Sequence, residues 1–153
     1  MDKRTEFNNA LKEALKSKDA IAIGTIRLMI AALKDRDIEA RGKGNADGIT
    51  EAEILSMLQS MIKQRQESQK TYEDAGRPEL AERETAEIEV IKRFLPQQLG
   101  EEEVRAKVDE LIIELNVSDI KEMGKVMAEL KSRYAGQMDM GRASGLVKER
   151  LAS

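Results

Sequence analysis

Apolar residues recur at helical spacing along nearly the whole chain, and the places where the spacing breaks mark its joints. Phe7, Ala10, Leu11, Ala14 and Leu15 fall at i, i+3, i+4, i+7 and i+8, the stripe of an amphipathic helix. Asp19 stands where it can cap the next one. From Ile21 to Leu33, IAIGTIRLMIAAL is apolar nearly all round, which predicts a core helix buried on several sides. The polar KDRDIEAR continues it, and GKGNADG, residues 42–48, ends it with three glycines.

Thr50 and Glu53 form a capping-box pair ahead of Ile54, Leu58, Met61 and Ile62. AGRPE closes that helix, with Gly76 suited to a left-handed cap and Pro78 to the next first turn. Leu80, Ile88, Ile91 and Leu95 then run to Pro96, so residues 50–95 are expected to form a helical hairpin. Beyond Pro96 the segments shorten. Gly100 and Glu103 precede a helix carrying Val104, Val108, Leu111, Ile112 and Leu115, which Asn116 ends. Ser118 is expected to begin a helix with Met123, Val126, Met127, Leu130 and Tyr134. Asp139 caps a last one with Leu146, Val147 and Leu151. Pro96 removes a backbone donor and restricts Leu95. The expectation is an all-α protein in two domains: residues 1–95, helical with a long hairpin, and residues 97–153, a three-helix tail.

Composition supports helix, with 36% charged residues and 3% aromatic ones in a chain of 153. The absence of cysteine and histidine removes disulfides, thiolate chemistry and the usual general base and zinc ligand. No apolar signal core or membrane span is visible, so a cytoplasmic location is expected. Charge is uneven: residues 101–122 hold three Lys/Arg against eight Asp/Glu, and residues 123–153 hold six against three. The basic end carries Lys125, Lys131, Arg133, Arg142, Lys148 and Arg150, candidates for contacts to phosphates. Tyr134 is the only aromatic there, so any RNA binding is expected to read backbone and shape.

Other candidates fail their own chemistry. GKGNADG lacks the phosphate-loop Lys-Ser/Thr and a preceding strand, and reads as a mobile helix–helix loop. Asp35, Asp37 and Glu39 open like a calcium loop but meet Ala40 where glycine is needed and Ala46 where glutamate is needed, so they read as solvated surface. Glu82, Glu84, Glu87 and Glu89 read as an exposed helix surface. Met123 and Met127, at i, i+4, read as core, while Met138 and Met140 are left open between core and partner surface. No catalytic residue, metal or cofactor is expected.

Three phrases in order carry a resemblance: IRLMIAALKDRDIEAR, the run from EAEILSMLQ through AGRPELAE to FLPQQL, and MGKVMAEL followed by GRASGLVKERL. Together they resemble the GatB/YqeY family across essentially the whole chain. The resemblance implies an all-helical fold with a small tail. In the larger relatives it implies the part of a tRNA-dependent amidotransferase subunit that engages the tRNA body, while ATP, magnesium and the mischarged amino acid are expected to sit in a separate catalytic domain that this chain lacks. A free-standing tRNA-binding accessory protein associated with the tRNA-dependent amidotransferase, without independent catalysis, is therefore expected, with a helical protein–protein adaptor as the alternative. By resemblance, Gly124 and Lys125 of MGKVM and the cations near Arg142 and Lys148 would face RNA. Two departures stand out: Gly100 replaces a serine-type cap, and GQMDMGRAS is less basic than the family's usual turn.

Overall fold

The computed structural model describes residues 2–152 and is all-helical: α1 Lys3–Ser17, α2 Ala20–Gly42, α3 Glu51–Asp74, α4 Pro78–Lys92, α5 Glu101–Glu114, a 3₁₀ turn Ile120–Glu122, α6 Met123–Tyr134 and α7 Met140–Ala152. No strand occurs among the described residues. The chain divides into two compact units, Met1–Leu95 and Pro96–Ser153.

In the first unit, local chemistry ends and restarts each helix. Lys18, at φ 58°, closes α1, its neighbour's amide bonding back to Ala14 O. Asp19 then caps α2 by accepting from Ala22 N at 3.1 Å. Thr50 and Glu53 bond reciprocally, at 3.1 and 3.2 Å, to start α3. Gly76, at φ 72°, completes a two-bond cap on α3, with Arg77 N donating to Tyr72 O and Gly76 N to Glu73 O. The chain reverses and Pro78 opens α4. Arg65 pairs with Glu87 and Gln69 bonds Thr85, so residue numbers rise on one helix as they fall on the other and the hairpin is antiparallel.

The core of this unit gathers Phe7, Ile26, Met29, Ile54, Met57, Leu58 and Ile91 at 2% exposure or less. Burying a side chain of this size is worth about 1.5–3 kcal/mol. α4 stops three residues short of Pro96. Its last turn tightens, with Phe94 N bonding Ile91 O and Leu95 N bonding Lys92 O, which drops Phe94 edge-on against Phe7 at 5.1 Å. α2 departs from expectation. Ile21, Ile23, Ile30 and Ala32 flank its buried face half-covered, but the far side stays open: Leu28, within the apolar stretch, is 52% exposed, and Ile38 in the polar continuation is 57% exposed. An apolar sequence all round does not oblige a helix to be covered all round.

In the second unit, α5, α6 and α7 enclose Val108, Leu111, Val126, Leu130, Ala143 and Val147, each at 1% exposure or less. Asn116, at φ 53°, ends α5 and turns Val117 inward. Ser118 does not begin α6. Asp119 instead accepts from Lys121 N at 3.0 Å and caps the 3₁₀ turn, and α6 follows at Met123. Asp139 caps α7 through Gly141 N at 2.9 Å. Gly100 has no side chain to offer, so only half a capping box forms, Gly100 N donating to Glu103 at 3.2 Å. Met138 is core, at 3% exposure, and Met123, Met127 and Met140 pack against the same cluster half-buried.

Candidate functional site

α6 and α7 carry the candidate cations, and their fates differ. The guanidinium of Arg133 donates to both Glu114 oxygens at 2.8 Å and to Glu129 at 2.9 Å. That fork holds the Glu114 carboxyl below its ordinary range and raises Arg133. Arg142 is engaged by Glu101, whose carboxyl is also lowered, first by Arg142 and then by Arg105. Arg150 pairs with Asp109 at 2.6 Å. The acidic helix α5 therefore neutralises the arginines expected to form a basic face. Residues 101–153 as a whole hold nine Lys/Arg against eleven Asp/Glu.

The lysines are freer. Lys125 lies 3.1 Å from Glu122 one turn back, an exposed pair of the weak kind. Lys131 and Lys148 are exposed and have no ion pair among the described residues. Gly124, Ala128 and Lys131 follow one another at i, i+4 and i+7 on the outward face of α6, opposite buried Val126 and Leu130. Nothing lies within 4 Å of where a Cβ on Gly124 would stand. Tyr134 is half-buried beneath Lys107, whose ammonium lies 5.9 Å from the ring centre, and it offers no open stacking platform. The structure thus brings Gly124, Lys125 and Lys131 together on one helix. It leaves Lys148 on α7 and ties Arg133 and Arg142 to carboxylates.

Three groups read as solvated surface are not. Asp37 is 6% exposed and accepts from Arg4 Nε at 3.1 Å, from the Arg4 terminal nitrogen at 2.6 Å and from Ile49 N at 2.9 Å. Arg4, through hydrogen bonding, holds that carboxyl below its ordinary range. The 42–48 loop is correspondingly anchored. Gly44, at φ 99°, completes the α2 cap, and Gly48, at φ 81°, leaves the room that Asp37 occupies. Glu87 is largely buried against Arg65 at 3.1 Å. Glu84 is half-buried, and burial, then the neighbouring Glu87, pushes its carboxyl up. The sequence signal for Asp37 was its register, four residues after Leu33 and eight after Met29 on the buried face of α2. Among the described residues no group of three His, Cys, Asp or Glu could hold a metal ion, and no helix is long and apolar enough to cross a membrane.

A family model described as "Yqey-like protein" matches residues 4–151. Altered inheritance of mitochondria protein 41, mitochondrial, of Lachancea thermotolerans is 33% identical over 121 residues, covering 78% of this chain and 63% of that protein. The protein of the same name in Clavispora lusitaniae is 27% identical over 146 residues, 94% of this chain and 81% of its own length. That of Candida glabrata is 31% identical over 111 residues, 71% and 59%. The match thus spans less than two thirds of the first and third relatives. These names correct the cytoplasmic expectation, since the relatives are mitochondrial proteins by name. A secretory signal core and a membrane-spanning helix are not properties that separate a mitochondrial protein from a cytoplasmic one.

Proposed function

This chain belongs to the Yqey-like protein family, and from that premise we propose that it is a helical binding module without catalysis of its own, which engages tRNA through the outward face of α6. The observation that carries the reading is the open position at Gly124, one turn from Ala128 and two from Lys131, with Lys125 beside it. A helix face without projecting side chains lets a sugar-phosphate backbone come close, and the two lysines supply charge there. Arg133 and Arg142 drop out of the site because each faces a carboxylate that would repel the same phosphate. Few phosphates are then neutralised, so affinity is modest and salt-sensitive. The relatives' names support a mitochondrial setting.

The test is binding of purified tRNA to the full chain at low and physiological salt. Saturable binding that falls with salt, by a log–log slope of about −0.7 to −0.9 per phosphate, and that weakens roughly tenfold or more in Lys125→Glu/Lys131→Glu, is the expected result. A folded chain that binds no tRNA at low salt overturns it. A second reading, a protein adaptor, is favoured by Ile113 and Ile120, 79% and 45% exposed in the same unit. It predicts partner capture that is lost in Ile113→Asp and indifferent to the lysine changes.

A further inference from the structure

Helix α2 is apolar on two opposite faces, and the core takes only one. Ala22, Ile26, Met29 and Leu33 are buried, while Gly24, Leu28, Ala31, Asp35 and Ile38 run along the far side at spacings of three and four residues. Arg27 borders this stripe. Arg27 and Asp35 are both exposed, and neither has a partner among the described residues. Their own helix offers none, because neither has an opposite charge three or four positions away. Gly24 sits in a helix interior, where glycine weakens the helix. Nothing stands within 4 Å of a Cβ placed on it, so packing within the unit does not require the glycine.

We propose that this face joins two copies of the chain, α2 packing antiparallel on α2 about a two-fold axis through Ala31. Such an axis sets Arg27 of each copy across from Asp35 of the other, each four residues from the axis. It sets Ile38 across from Gly24, each seven residues from it. The unpaired charges meet opposite charges, and the most exposed apolar side chain of the stripe meets the position that has no side chain. Ala31, meeting itself, allows the helix axes to approach to about 8–10 Å, with Leu28 packing on the flank. A second copy fits better than an unrelated partner because the pattern complements itself: opposite charges, and a knob and a hole, at equal distances from one small residue.

Sedimentation equilibrium of the full chain across a concentration range tests this. The expected result is a concentration-dependent dimer. Ala31→Arg is exposed in the single chain and spares its core, which a circular-dichroism melt verifies. It places like charges on the axis and weakens association by about tenfold or more. Arg27→Asp and Asp35→Arg each weaken association, and combining them restores it. A chain that stays monomeric at every concentration overturns the proposal. So does a dimer indifferent to Ala31→Arg, or a double charge swap no tighter than the single ones.

Discussion

The Arg4 guanidinium clasps the Asp37 carboxylate through two hydrogen bonds and also donates to Ile49 O at 3.0 Å. Three segments distant in sequence, the start of α1, the second half of α2 and the residue before the α3 cap, are thereby tied at one point. Asp37 brings its charge into a nearly closed site, where losing a partner costs more than the pair itself is worth.

Arg4→Met leaves that carboxylate with only the Ile49 amide, and Asp37→Asn removes the charge but keeps an acceptor. Arg4→Met is expected to destabilise the fold by about 2–3 kcal/mol and Asp37→Asn by less. The double variant should be less destabilised than the sum of the two. Urea unfolding of the four chains gives the coupling directly.

At Gly48 a Cβ would lie 2.3 Å from Asp37 Oδ1, on backbone already at φ 81°. Gly48→Ala therefore combines backbone strain with a clash against a held carboxylate and is expected to cost about 2–4 kcal/mol. Gly44, at φ 99° with nothing near its Cβ position, provides the comparison. Its alanine variant carries the backbone strain alone, and thermal melts should separate the two.

Acid should reveal the same carboxylate. Because the folded pKa of Asp37 lies below its ordinary value, its contribution is complete above the ordinary carboxylate range and is lost as pH falls below that range toward the folded pKa. Asp37→Asn should flatten the acid limb of stability against pH. Glu84 has the opposite sign, since a raised carboxyl loses stability as pH rises through its unfolded value toward the folded one. Glu84→Gln should therefore stabilise the chain at neutral pH and change little in acid.

If phosphates compete with Glu114 for Arg133, removing the carboxylate frees a cation at the C-terminal end of α6. Glu114→Gln is expected to change thermal stability little, since the pair is exposed, and to raise tRNA affinity several-fold with a steeper salt slope. Anisotropy titrations at two salt concentrations measure both.

Gly124→Ala adds a methyl group in open space on a helix, which should raise stability by about 0.5 kcal/mol. The same methyl group should lower tRNA affinity if the backbone approaches there. Gain of stability with loss of binding would mark the glycine as a contact position.

What the sequence determined by itself was whatever is settled within a turn or two of helix. Asp19, Thr50 with Glu53, Gly76 and Pro78 act on neighbours three or four residues away, so their partners are legible in the chain. So are the helical repeats and the family-bearing phrases. Tertiary structure decided which charges are free. Glu87 was read as surface and lies largely buried against Arg65, 22 residues away; Asp37 waits on Arg4, 33 residues away; Arg142 is met by Glu101, 41 residues away. Charge counts cannot register this, because an ion pair depends on distances of a few ångströms between segments whose approach the hydrophobic core arranges. Likewise α2, apolar nearly all round from Ile21 to Leu33 in sequence, buries the sides its neighbours reach, and packing alone chose which side remained outside.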